Sequence, residues 1–363
     1  MDRPRGSRDR ARRRRASAAC ATRGRAQHLA YERGEYVAAV DAARRALALF
    51  REVLPEEDLR VQTAVGNLAA YLLSVGETDE AEALRRRVLE YRRAALGESS
   101  DVAQAENVLA AVLANANRPA DAEALLRAAI EHWQASFGAE HPLLAMPYSN
   151  LGLVQQALGR DDEAIASLQR SIAIRVAVLP ADHPDLAQTR ANLAASLVAA
   201  EQFEQAQQQA QDALDSLLPQ LGDAAVGTAL ARTSLGMALL ELGRPEDAAA
   251  SRPRSQRCRA ARSWACSRAQ SYLGGALVEL GRDREAIAAL SGALSRGEAH
   301  GAADRVRAQV WLARARRSDG VDDGTALLDA AQRDLDAGTA VLSSRQRARL
   351  AAMIAAARAA PPR

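Results

Sequence analysis

The chain has 363 residues and a formal net charge of +3, and its 48% hydrophobic content includes only 3% aromatics, so the apolar residues are nearly all alanine and aliphatic. That balance favours closely packed helices over a sheet core. All 48 basic residues are arginine, which excludes a Walker-type phosphate loop, a protein-kinase core, a Schiff-base enzyme and an SxxK hydrolase, since each needs a lysine amine.

In chain order the first element is basic. Residues 1–25, beginning MDRPRGSRDRARRRR, hold ten arginines and two acids and read as a disordered N-terminal segment. No apolar stretch follows that would serve as a secretion signal, and no run approaches the roughly 18 apolar residues of a membrane span. The expected location is the cytoplasm, without membrane association.

From residue 26 the chain repeats itself. Gly34, Gly76, Gly159, Gly243 and Gly281 recur in steps of about 42 residues or twice that, with Asn117 and Glu201 in the two slots that lack glycine. Five residues after a slot stands alanine (Ala39, Ala81, Ala122, Ala164, Ala206, Ala248), and eight before it leucine (Leu68, Leu109, Leu151, Leu193, Leu235, Leu273). Each repeat reads as two antiparallel helices. In the fourth, Leu151, Val154 and Leu158 keep helical spacing up to Gly159, where glycine accepts a left-handed C-cap. Asp161 and Asp162 open the second helix by complementing its dipole. Ala164 must be small where the helices cross. Ile165, Leu168, Ile172, Ile174 and Val178 carry the second helix forward until Pro180 and Pro184 stop it. Neither helix buries its stripe alone, so neighbouring repeats must stack.

The predicted fold class is therefore all-α, a superhelical solenoid of stacked antiparallel helix pairs. Residues 26–250 hold repeats one to five and the first part of six. An anomalous arginine-rich stretch occupies 251–268, a further repeat 269–300, and a degenerate last repeat with a capping helix, SSRQRARLAAMIAAARA, 301–363. The stretch 251–268, SRPRSQRCRAARSWACSR, has six arginines and no acid where sister repeats carry an apolar helix face. A local reading-frame slip explains it best. A divergent helix with a solvated arginine face and a basic insertion contacting nucleic acid or anionic lipid are the alternatives. Together 1–25 (+8) and 251–268 (+6) account for the basic balance of the chain, leaving −11 on the remainder.

The segments NLAAYLLSVGETDEAEAL (67–84), NLGLVQQALGRDDEAIASL (150–168) and NLAASLVAAEQFEQAQQQA (192–210), with the loops AEHP (139–142) and ADHP (181–184), resemble the tetratricopeptide repeat in its 42-residue kinesin-light-chain-like form, also common in bacterial proteins. The resemblance implies a concave groove lined by the first helices of successive repeats and holding a peptide. Carried over by position, its candidate lining is Asn67, Gln104, Asn107, Asn115, Ser149, Asn150, Gln156, Gln188 and Asn192. Amides at regular spacing suit an extended peptide backbone. These first-helix positions hold amides and alanine rather than arginine, which disfavours an acidic C-terminal peptide.

No catalytic, metal or cofactor residues are expected, and the chain does not read as an enzyme. His141 and His183 occupy equivalent loops of successive repeats, roughly 15–20 Å apart by helix-layer thickness, and read as His-Pro turn elements. Cys20, Cys258 and Cys266 form neither a disulfide framework nor a metal spacing. The function that follows is a scaffold or adaptor binding a protein or peptide partner, with nucleic acid not expected and self-association left open. The alternative is a regulatory or sensory arm separated from a signalling enzyme such as a bacterial serine/threonine kinase.

Overall fold

The structure, a computed structural model, describes residues 35–223, 225–252, 264–295, 302–337, 342 and 344–360. Among the described residues every regular element is helical. The helices are α1 (Tyr36–Val53), α2 (Leu59–Val75), α3 (Thr78–Leu96), α4 (Ser100–Asn115), α5 (Pro119–Phe137), α6 (Ala145–Ala157), α7 (Asp161–Val176), α8 (Pro184–Ala199) and α9 (Phe203–Leu221). They continue as α10 (Val226–Glu241), α11 (Pro245–Ala250), α12 (Trp264–Glu279), α13 (Asp283–Leu294), α14 (Ala302–Ser318), α15 (Thr325–Ala337) and α16 (Ser344–Ala359). Two compact lobes divide the chain, Met1–Pro147 and Tyr148–Arg363. Residues 1–25, Gly34 and most of the arginine-rich stretch, 253–263, lie outside the described residues.

The 42-residue slot is a backbone requirement. Gly76, Gly159, Gly243 and Gly281 all have positive φ, and so do the two residues that replace glycine, Asn117 (φ 59°) and Glu201 (φ 61°). At Gly76 the left-handed turn lets the next N–H reach back, with Glu77 N–H donating to the Leu72 carbonyl at 2.9 Å. Asparagine tolerates this conformation. A glutamate there is strained, and the repeat alone does not explain it.

Helix crossing explains the small residues. Ala39, Ala81, Ala122, Ala164, Ala206 and Ala248 are all buried. Seven residues before each slot from Gly76 onward stands alanine or glycine as well. Ala69, Ala110 and Ala194 are fully buried. A Cβ on Gly152 would fall 2.6 Å from Leu168 Cγ, and one on Gly274 2.3 Å from Leu290 Cγ. The two helices of a repeat touch through these positions, and the apolar side chains on either side close around the contact. On α7, Ile165, Leu168 and Ile174 are buried, each contributing about 1.5–3 kcal/mol relative to exposure.

The end of the second helix differs from the sequence expectation. α7 stops at Val176, leaving Val178 outside it and 53% exposed. Pro184 begins the next helix instead of ending the last one, because the first helical position needs no N–H donor. The preceding histidines are N-caps: His183 Nδ1 accepts from the Asp185 N–H at 3.1 Å and His141 Nδ1 from the Leu143 N–H at 3.3 Å.

In the sixth repeat the described second helix, α11, has six residues. Beside it a cleft of about 550 Å³ is bordered by Leu214, Leu218, Leu235 and Leu239. Trp264–Arg268, counted from the sequence with the anomalous stretch, belong to α12, the first helix of the seventh repeat. The chain ends with the α14–α15 pair and α16, whose Leu350, Ile354 and Ala357 are buried with Val306, Val310 and Leu328.

Candidate functional site

In the N-terminal lobe a cleft of about 280 Å³ opens between α2 and α4, with α3 behind it. Gln62, Gly66 and Asn67 come from α2, Arg85, Val88 and Arg92 from α3, and Gln104 and Val108 from α4. Arg85 occupies the ninth position after the slot, where Leu126, Leu168 and Leu290 of other repeats are fully buried. Its side chain runs between the helices and donates Nη2–H to the Gly66 carbonyl at 2.7 Å. Glycine suits that point, because a Cβ would stand 3.2 Å from Arg85 Nη1.

Among the described residues Arg85 has no carboxylate partner. Its Nε is buried without a hydrogen-bond acceptor. Burial holds its pKa below the ordinary guanidinium value, and the charge of Arg92 adds to the effect. Arg92 spends one bond on the Asp101 carbonyl at 2.8 Å. Asn67 and Gln104 keep their amides unpaired among the described residues. Gln62 donates Nε2–H to the Glu56 carbonyl at 2.6 Å, while its buried Oε1 has no donor. Two guanidinium groups and unpaired amides converge on one opening, a donor set for an anion flanked by a peptide backbone.

Elsewhere the candidate residues separate. Asn107 is buried and donates toward Met146 Sδ at 3.5 Å. Asn115 is exposed at the last position of α4. Ser149 is buried, while Asn150 and Gln156 are half-buried on α6. Gln188 donates to Asn192 Oδ1 at 3.2 Å, and Asn192 is buried. Asn67 and Gln104 therefore share the N-terminal cleft, and Gln188 and Asn192 pair with each other in the C-terminal lobe. Sequence reasoning missed Arg85 and Arg92 because it looked along the first helices only. The signal was an arginine in a leucine slot.

Glu106 was missed too. Fully buried on α4, it meets Arg93 Nη2 at 2.7 Å and His132 Nδ1 at 3.0 Å.

The C-terminal lobe treats its inward arginines differently. Arg268 and Tyr272 on α12 stand thirteen and nine residues before their slot, the register of Gln188 and Asn192 on α8. Asp304 Oδ2 lies 3.0 Å from Arg268 Nε, and its Oδ1 lies 3.5 Å from Arg307 Nη1 and accepts from the Tyr272 hydroxyl at 3.2 Å. Burial, reinforced by Asp304, pushes the Tyr272 phenol well above its ordinary pKa, so it stays a neutral donor.

A fold of stacked antiparallel helix pairs with small residues at every crossing defines the class of α-α repeat proteins. The tetratricopeptide-repeat sequence profile matches residues 101–177 and 148–218, and a second profile of the same repeat matches 61–101. Residues 61–218 are tetratricopeptide repeats, and the slot, crossing and leucine positions continue in register through α12 and α13. Among solved structures, the apo form of RapI is similar at 14% identity with a TM-score of 0.58, over 77% of this chain and 98% of that one. A Rap protein complexed with competence and sporulation factor follows at 18% identity and 0.52, over 81% and 77%. A Podosopora anserina kinesin light chain with nearly identical TPR-like repeats is 20% identical at 0.47, over 55% and 95%. No curated protein matches the sequence. Tetratricopeptide repeats imply a protein–protein interaction scaffold. Among the described residues no helix is long and apolar enough to cross a membrane, and no group of three His, Cys, Asp or Glu residues is placed to hold a metal ion.

Proposed function

We propose that the protein is a scaffold whose N-terminal lobe captures an extended segment of a partner protein in the α2–α3–α4 cleft. Asn67 and Gln104 hydrogen-bond the backbone of the segment, while Arg85 and Arg92 take one of its acidic side chains. The observation that carries this reading is Arg85, a largely buried guanidinium that lines the cleft and has no acid partner among the described residues. A repeat gains nothing in stability from exchanging leucine for such a charge. An anionic ligand supplies what the fold leaves out. The Rap protein with its bound factor is a precedent for ligand capture by this fold.

The experiment is fluorescence polarisation of the full-length chain with labelled ten-residue peptides, each carrying one glutamate on a serine–alanine background. Peptides with glutamate should bind better than all-neutral ones, and Arg85→Leu should weaken them at least about tenfold, the value of one charge-assisted contact. Added salt should weaken binding further. Equal affinity for acidic and neutral peptides, or an Arg85→Leu protein that binds as well as the wild type, refutes this assignment.

A further inference from the structure

The C-terminal helix α16 is a +4 element: it carries Arg345, Arg347, Arg349 and Arg358 and no acid. Its second half behaves as an ordinary cap, with Leu350, Ile354 and Ala357 buried against α14 and α15. The first half does something else. It crosses to the turns of repeats lying more than a hundred residues earlier in the chain. Arg345 Nη1 donates to the Ala200 carbonyl at 3.2 Å, and Gln346 Nε2 donates to the Ala199 carbonyl and to Asp161 Oδ2, both at 3.1 Å. Arg349 pairs with Glu241 and lies 3.5 Å from Glu201, with its guanidinium 5.0 Å above the Phe203 ring.

The surface beneath is built for such a helix and shows the cost of being so built. Glu201 stands in the left-handed slot that other repeats fill with glycine or asparagine, and its carboxylate is the group that faces Arg349. Strain accepted at one backbone position supplies a negative charge at that turn. Asp161 is held above the ordinary aspartate pKa by burial and then by Asp162, with Arg268 opposing. The fit of α16 is nonetheless incomplete. Glu201 Oε1 is buried without a hydrogen-bond donor, having only the 3.5 Å ion pair.

We propose that the turns at Asp161, Ala199–Phe203 and Glu241 form a receptor for a basic amphipathic helix, that α16 is its resident occupant, and that a partner protein's helix of the same pattern displaces it. The pattern is arginine at two positions four apart, followed by apolar residues five, nine and twelve positions after the first arginine. Charge complementarity identifies the occupant: the Arg349 guanidinium faces Glu201 and Glu241, while Arg345 and Gln346 donate to the Ala200 and Ala199 carbonyls and Gln346 also to Asp161. This surface is separate from the Arg85 cleft, and its test does not depend on that cleft binding anything.

The test uses two variants of the full-length chain. Glu201→Gly restores the residue favoured in the slot, so it relaxes the turn while removing the carboxylate under Arg349. Hydrogen exchange across residues 344–360 should accelerate about tenfold, as expected for loss of a charge-assisted contact, with no acceleration across 184–221. Arg349→Glu reverses the charge of the resident helix and leaves the receptor intact. A fluorescein-labelled peptide of residues 344–360 should bind this variant and not the wild type, and the same peptide carrying Arg349→Glu should bind neither. Unchanged exchange of 344–360 in the Glu201→Gly protein overturns the proposal, as does equal peptide binding by wild type and variant. A concentration-dependent dimer of the Arg349→Glu protein that excludes the peptide also overturns it, because a second copy would then be filling the surface.

Discussion

Two regions of the molecule bury arginine in opposite ways. In the N-terminal lobe Arg85 stands where three other repeats bury leucine and reaches an opening where, among the described residues, the Gly66 carbonyl alone accepts from it. In the C-terminal lobe Arg268 and Arg307 close on Asp304 and Tyr272, an anion and a neutral hydroxyl supplied from the same two helices. The difference shows what one repeat register can support. Where a carboxylate stands within reach, a guanidinium becomes part of the packing between first helices. Where none does, it remains a donor directed at whatever enters the cleft. A buried charge without a partner is unfavourable, and under the proposed function an anionic group of the captured segment would supply the partner that Arg85 lacks among the described residues.

The largest effect should come from removing the shared anion. Asp304→Asn leaves Arg268 and Arg307 without their shared carboxylate and should lower stability by about 3–5 kcal/mol in denaturant titrations. A loss below about 1 kcal/mol would mean that the pairing is incidental and that the two regions differ less than their geometry implies. Next in size are Ala81→Leu and Ala164→Leu, one in each lobe. Both crossings are fully buried, so each substitution should cost about 1–3 kcal/mol through overpacking. Unequal costs would show that the lobes differ in the crossing itself and not only in the handling of charge. The smallest change has the opposite sign. Arg85→Leu returns the repeat to its common residue and should raise the urea midpoint, by roughly 1–2 kcal/mol of stability, since replacing a buried charge with a packed aliphatic group is neutral or favourable. A destabilised Arg85→Leu protein would mean that the bond to Gly66 is structural, and the contrast between the lobes would fail.

Much of the fold was legible because its requirements fall on single residues. The slot positions could be counted from glycine, and the two exceptions, Asn117 and Glu201, adopt the same left-handed backbone. The alanines five residues beyond were legible as crossing points, since only a small side chain permits the approach. Boundaries were less legible. Pro180 and Pro184 looked like two stops for one helix, yet Pro184 opens the next, because proline at the first turn and proline after the last turn look alike in sequence. The cleft was half legible. Asn67 and Gln104 followed from the first-helix register, while Arg85 required noticing a charge in a leucine position on the second helix.

By itself, the sequence determined the period, the pairing of helices and the small residues that let them touch, because these depend on local backbone conformation and on contacts between neighbours in a regular array. Only the tertiary structure decided where the charges meet. Arg349 reaches Glu201 and Glu241 across 148 and 108 residues, and no periodicity relates a capping helix to turns that far back. Such encounters depend on small rotations accumulated from one repeat to the next, and the direction of a long flexible side chain such as Arg85 depends on whether the neighbouring helix presents glycine or a larger residue. A conformational requirement is local and leaves its mark on one residue. An electrostatic partnership is a property of distance, and distance is set only when the repeats have stacked.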